Sequence, residues 1–158
     1  MSDLPRNIGY IVLFGVALLV GKSIVGGFFG AAEMAAIPSG PGVSGGRIVL
    51  GWAFALLGWG GCLAWAFLCG WWAHRATGWG VLAGLFTGLF TCMVMGMLAV
   101  KAHGLMPPHM PGAEHHLGAS TFIYLEALNA LVLLGPPTVG GWLASRGLRR
   151  AADPQPSA

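Results

Sequence analysis

Charge is what this sequence has least of. Asp, Glu, Lys and Arg make up 8% of its 158 residues, against about 25% in a soluble domain. So few charges cannot clothe the surface of a globule this size, which excludes an ordinary soluble domain and a disordered chain. Cysteine is scarce too: Cys62, Cys69 and Cys92 are too few for a disulfide-stapled secreted module, and no CxxC occurs. Aspartate is confined to Asp3 and Asp153 near the two ends, leaving Glu126 as the one acid deep within a hydrophobic stretch. A paired-carboxylate intramembrane hydrolase lacks its second acid. Nor is there a GxGxxG in a strand-to-helix setting, a GxxxxGK[ST], a GxSxG or an HExxH. Most membrane-enzyme mechanisms are thereby disfavoured.

Hydrophobic residues are abundant, at 56%, and so is glycine, at 27 residues. Crossing a hydrocarbon core as a helix takes about 20 mainly apolar residues. Four segments meet that length, at about 8–30, 48–72, 80–100 and 120–143. The expected fold is an all-α integral membrane protein, four transmembrane helices in an up-down bundle. Residues 1–150 form one domain and 151–158 a disordered tail. A rival reading of the start is a signal peptide, since Arg6 precedes an apolar run and small residues follow. Against it, the apolar stretch continues past Lys22 for a full span. Arg6, Arg75, Arg146, Arg149 and Arg150 fall on one side of this arrangement, Arg47 and Lys101 on the other. The basic excess puts both termini in the cytoplasm. Trp71, Trp72 and Trp79 bracket the cytoplasmic hairpin, where indoles favour the interface.

Lipid tails are as apolar as leucine, so close backbone approach and interhelical hydrogen bonds must hold the helices together. The third span meets this need with Gly80, Gly84, Gly88, Cys92 and Gly96 at four-residue spacing, beside Ala83, Thr87 and Thr91. Such a strip suits a right-handed helix crossing. Gly15, Lys22, Gly26 and Glu33 share one face of the first span. Glu126, Ala130, Pro137, Gly141 and Ala144 share one face of the fourth.

Lys22 and Glu126 carry the sharpest inference. An ionised side chain at mid-membrane costs roughly 2.5–3.5 kcal/mol on insertion scales, so it faces a partner or water. From the helical rise, Glu126 lies about 9 Å and Lys22 about 12 Å from the outer end of its span. First and last helices are commonly neighbours in a bundle, which predicts a Lys22–Glu126 ion pair with Asn129 one turn below as a third member. A register lock is favoured over a proton or ion relay, because a paired charge is more often structural unless water reaches it. Glu33 and Lys101 snorkel at the outer ends.

The outward segment after the third span concentrates His103, Met106, His109, Met110, Glu114, His115 and His116. Imidazole suits copper and zinc, and thioether sulfur selects Cu(I). His103, His109, Met110, Glu114, His115 and His116 are therefore the candidate metal ligands, with copper ahead of zinc. The bland alternative, solvated histidines on an interfacial loop, is favoured because the spacing follows no established ligand pattern. Haem is weaker still, since it needs histidines facing each other from separate helices at membrane depth. The cysteines read as small packing residues. No resident cofactor is expected, copper or zinc being the one candidate.

Two functions fit. One is a non-catalytic accessory or scaffold subunit, partnered by the bilayer and by other membrane subunits or a second copy. The other is a small transport or metal-handling protein capturing its cargo at the outward loop 103–116. The charge of +3 reflects affinity for anionic headgroups and not for nucleic acid. Compactness and the Ala, Gly and Arg content point to a bacterial inner membrane. The orientation is checked by labelling Ser2→Cys and Ser157→Cys in a chain whose native cysteines are replaced. Both sites should react with a membrane-impermeant maleimide only after the cytoplasmic face is opened. Labelling of one end from outside would refute the even number of crossings.

Overall fold

The computed structural model describes residues 3–36, 44–105 and 119–152, with side chains over 3–36, 44–98 and 129–147. The described residues are all-helical and form four helices: α1 (Leu4–Ala36), α2 (Gly45–Thr77), α3 (Val81–Leu105) and α4 (Ala119–Ala152). Each contains one of the expected spans and runs beyond it, apart from Gly80, which lies in the turn before α3. The 33 residues of α1 extend about 50 Å at 1.5 Å per residue. Among the described residues, three helical stretches are long and apolar enough to cross a membrane: α1, α2 and Val81–Leu98 of α3. This is a membrane protein by that measure. α4 continues to Ala152, two residues into the stretch expected to be tail.

The outer surface is what lipid requires. Leu13, Val20, Ile24 and Phe28 on α1 are exposed, as are Trp52, Leu56 and Leu57 on α2 and Leu82, Leu89 and Met93 on α3. No water is needed to satisfy such a surface, and the backbone donors inside each helix are already paired. The buried centre is small. Leu18, Ala66, Cys69 and Leu133 form it, with Trp65, Cys92 and Met95 packed around them.

Helix order follows from the register of close approaches. Gly21 meets Trp65, Gly61 meets Val25 and Gly58 meets Phe29, so α2 runs antiparallel to α1. Gly84 meets Pro137 and Gly88 meets Leu133, so α4 runs antiparallel to α3. α4 also packs along α2, in the same direction, where Gly70 meets Pro137 and Gly140 meets the Phe67–Trp71 backbone. Among the described residues the backbones of the first and last helices do not adjoin: α1 and α4 make no backbone approach within 8 Å, whereas α4 packs on α2 and α3 and α1 on α2 and α3. Two lateral neighbours already cover the packing face of α4.

Pro137 occupies the tightest of these contacts. It lies inside α4 beside Pro136 and is fully buried. Its carbonyl oxygen stands where a methyl on Gly70 or on Gly84 would have to go. A methyl on Gly88 would lie 2.5 Å from the oxygen of Leu133, and one on Gly141 would lie 2.8 Å from that of Gly80. Here the backbones of three helices touch, which only residues without a Cβ permit. Prolines are tolerated within a membrane helix because neighbouring groups accommodate the interrupted ladder. The carbonyls the two prolines free are those of Val132 and Leu133; one residue on, Thr138 Oγ1 donates to the Leu134 oxygen at 2.6 Å. Among the described residues nothing lies within 4 Å of where a Cβ on Gly96 would be.

Hydrogen bonds tie α1 to the others. Trp65 Nε1 donates to the Ala17 oxygen at 2.9 Å. The Thr91 hydroxyl, fully buried, lies 3.1 Å from the Gly15 oxygen and 2.9 Å from that of Thr87. Such bonds contribute about 0.6 kcal/mol on average within membranes, up to about 1.7. Gly84→Val and Gly70→Val should therefore destabilise the protein more than any single hydrogen-bond deletion, by about 1–3 kcal/mol or more. Gly60→Val, at an exposed position of α2 with nothing within 4 Å of its Cβ among the described residues, should be nearly neutral. Reversible unfolding of the three variants in mixed detergent micelles checks the order, and equal losses would refute the wedge at Pro137.

Candidate functional site

Beyond the packed centre, a recess of about 190 Å³ lies between α1, α2 and α4. It exists because the sequence supplies little side chain there: Gly26 and Gly30 from α1 and Ala55 and Gly58 from α2 line it. Phe29, Trp59 and Val132 provide larger apolar wall. Its polar groups come from Lys22 and Glu33 on α1, Cys62 on α2 and Asn129 on α4. Of the α1 face read from spacing as Gly15, Lys22, Gly26 and Glu33, the last three border this recess, whereas Gly15 meets Phe90 of α3.

Lys22 is the organising group. Its Nζ donates to Asn129 Oδ1 at 3.0 Å, which joins α1 to a helix whose backbone it does not touch. The Lys22 backbone oxygen lies 3.9 Å from Cys62 Sγ, a long thiol contact. Asn129 reaches the lysine because Pro137 sets the position of α4, and eight residues, a little over two turns, separate the two along the helix. Among the described residues the lysine forms no salt bridge; the one such pair is Arg6 with Asp3 at 3.1 Å, on the exposed first turn of α1. Glu126 stands on α4 one turn before Asn129, and its side chain lies outside the described residues. Lys22 and Asn129 thus meet, whereas the expected Lys22–Glu126 pair is a matter for proposal.

The candidate metal ligands also lie outside the described region. His109, Met110, Glu114, His115 and His116 fall in 106–118, and of His103 only the helical backbone is described. Among the described residues no three of His, Cys, Asp and Glu come together as a metal would require. Cys69 is fully buried in the packed centre and Cys62 is buried where it borders the recess. Both carry free thiols.

One residue that the sequence reading left aside proves structural. His74 is buried, at 4% exposure, and builds the turn from α2 to α3. Its backbone oxygen accepts the Gly78 N–H at 2.7 Å, and its Nδ1 accepts the Gly80 N–H at 2.8 Å. Gly78 and Gly80 both have positive φ, 71° and 62°, the left-handed cap that glycine adopts without a steric penalty. An Nδ1 that accepts leaves the hydrogen on Nε2, so the imidazole is neutral in this arrangement. The detectable signal is a His placed four and six residues before two glycines that close a helix. Around this end, Arg75 lies over the Trp71 ring at 5.6 Å and Arg146 over Trp142 at 3.8 Å. Cation–π pairs of this kind suit a membrane interface, with the ring in the apolar zone and the charge at the headgroups.

No protein family, curated protein or solved structure matches this chain. The Lys22–Asn129 contact is measurable on its own. Lys22→Met and Asn129→Leu should each lower stability in detergent, and the double variant should recover a coupling of about 0.6–1.7 kcal/mol. Additive losses in that cycle would show that the two side chains do not interact. The same cycle with Glu126→Gln in place of Asn129→Leu tests the ion pair.

Proposed function

We propose that the chain is a small non-catalytic membrane protein that crosses the bilayer four times, both termini cytoplasmic. It acts as an accessory or scaffold subunit packing against other membrane helices in a bacterial inner membrane. The use of six hydroxyl groups among the described residues carries this reading. Ser23, Thr77, Thr87, Thr91, Thr138 and Ser145 each donate to a backbone carbonyl three or four residues earlier. Hydroxyls engaged in this way serve the helices and are not poised beside a base as nucleophiles.

The fourth crossing is supported by the character of α4. Its 34 residues extend about 51 Å, more than a bilayer core requires. Leu131, Val139, Trp142 and Leu143 are exposed, while Asn129 and Pro137 turn to α1, α2 and α3. Helix directions alternate along the chain, so a fourth crossing returns the C-terminus to the side of the N-terminus, as the arginine distribution asks.

One observation favours the second reading, a transport or metal-handling protein taking copper or zinc at His103, His109, Met110, Glu114, His115 and His116. The recess at Lys22 brings an ammonium, an amide and a thiol together inside an otherwise apolar helix bundle. Purification of the tagged chain from its native membrane in a mild detergent separates the two. The subunit reading expects a stable assembly much larger than the 16.4 kDa chain, with other membrane polypeptides in fixed proportion. Elution of the chain alone, with one equivalent of copper or zinc that is lost on changing His109, His115 and His116 to Ala, would replace it with the second.

A further inference from the structure

We propose that the recess between α1, α2 and α4 binds a carboxylate carried on a compact apolar body, with Lys22 and Asn129 holding the carboxylate. The inference requires only that the chain folds as described, so it stands or falls separately from the subunit reading.

The chemistry follows from one hydrogen bond. Lys22 Nζ donates to Asn129 Oδ1 at 3.0 Å, which turns the amide so that its Nδ2 hydrogens point away from the ammonium. The ammonium has three hydrogens and this bond uses one. The two adjoining groups therefore keep four donor hydrogens, two on the ammonium and two on Nδ2, against one remaining lone pair on Oδ1, with a net charge of +1, on the border of an open recess. A carboxylate satisfies both at once, one oxygen to each, and charge-assisted bonds of this kind are the strong ones. It also neutralises an ammonium that has no salt-bridge partner among the described residues. An unpaired charge among apolar helices is costly, and an anionic occupant offsets that cost. The alternative is Glu126 as an internal carboxylate, and it competes for the same donors.

Size and walls define the remainder of the occupant. A cavity of about 150 Å³ holds benzene in a well-studied engineered case, so about 190 Å³ accommodates a ring or short chain bearing one carboxylate. Phe29, Trp59 and Val132 present apolar surface to it. Glu33 borders the same recess eleven residues further along α1, about 16 Å by helical rise. Its negative charge disfavours dianions such as phosphate esters and leaves a monoanion preferred. The same chemistry is offered by a soluble aromatic or short-chain acid and by the carboxyl end of a free fatty acid within the bilayer.

The test uses the full chain in lipid nanodiscs and 4-fluorobenzoate, followed by 19F NMR titration. Saturable binding is expected, at least about tenfold tighter than that of the neutral isostere 4-fluorobenzamide. Lys22→Met and Asn129→Leu should each weaken it, the former by about tenfold or more, and Lys22→Arg should retain it. Equal binding of acid and amide by the unaltered chain would overturn the proposal without recourse to any variant. So would unchanged binding in a folded Lys22→Met protein. Absence of saturable binding, the result expected if Glu126 already occupies Lys22, overturns it as well. Oleate supplied in the nanodisc distinguishes the sources. Displacement of the probe at low oleate content supports the site with a membrane fatty acid as its occupant, and retention of the probe supports it with a soluble acid.

Discussion

Backbone-to-backbone contact at Pro137 is the constraint on which the remaining geometry depends. The Pro137 carbonyl sits between Gly70 of α2 and Gly84 of α3, in space that any Cβ would fill. Gly140 and Gly141 continue the contact on the side of α4, against α2 and the α2–α3 turn. In a membrane there is no hydrophobic gain from bringing two apolar helices together, so dispersion at short range must supply the attraction. Dispersion falls steeply with distance, and the glycines are what bring the helices within its range. With α4 seated in this cleft, its rotation and its height relative to α1 are decided.

That seating has a consequence on the far side of the bundle. α4 is held by α2 and α3, and its backbone stays away from α1. Among the described residues, the gap left between α1 and α4 is lined from α2 by Ala55, Gly58, Trp59 and Cys62 and is crossed by one long side chain. Lys22 spans it to Asn129. A recess bounded by an ammonium and an amide at one end and by a carboxylate further along is thus a by-product of tight packing elsewhere. Two sets of polar groups stand out among the described residues. Hydroxyls and the His74 imidazole serve the helices and their turn, whereas Lys22, Asn129 and Glu33 border open space.

Much of the helical architecture was legible in residue order. Apolar runs of sufficient length, broken by Pro- and Gly-rich stretches, located all four helices, because span length is dictated by bilayer thickness. The small-residue periodicity of α3 identified the face on which Gly84 and Gly88 meet α4, because close approach needs a glycine wherever it occurs. Spacing on α1 also put Lys22, Gly26 and Glu33 on one side. What spacing could not supply was which helix stands beside which. Chain order suggested that α1 and α4 adjoin, and the choice of neighbours is instead made by where glycines on α2 and α3 both match the backbone of α4. His74 escaped notice for a similar reason: a lone histidine near a helix end has no meaning until the turn after it brings the Gly80 N–H to its ring.

Residue type and local periodicity fix that this chain belongs in a membrane, where its helices lie and which of their faces are smooth, though not how far each helix runs past its apolar span. Only the tertiary structure decided that α4 seats between α2 and α3 and that Lys22 reaches Asn129. Those are properties of helices set against one another, where a difference of one ångström determines whether two backbones touch or a side chain must bridge them.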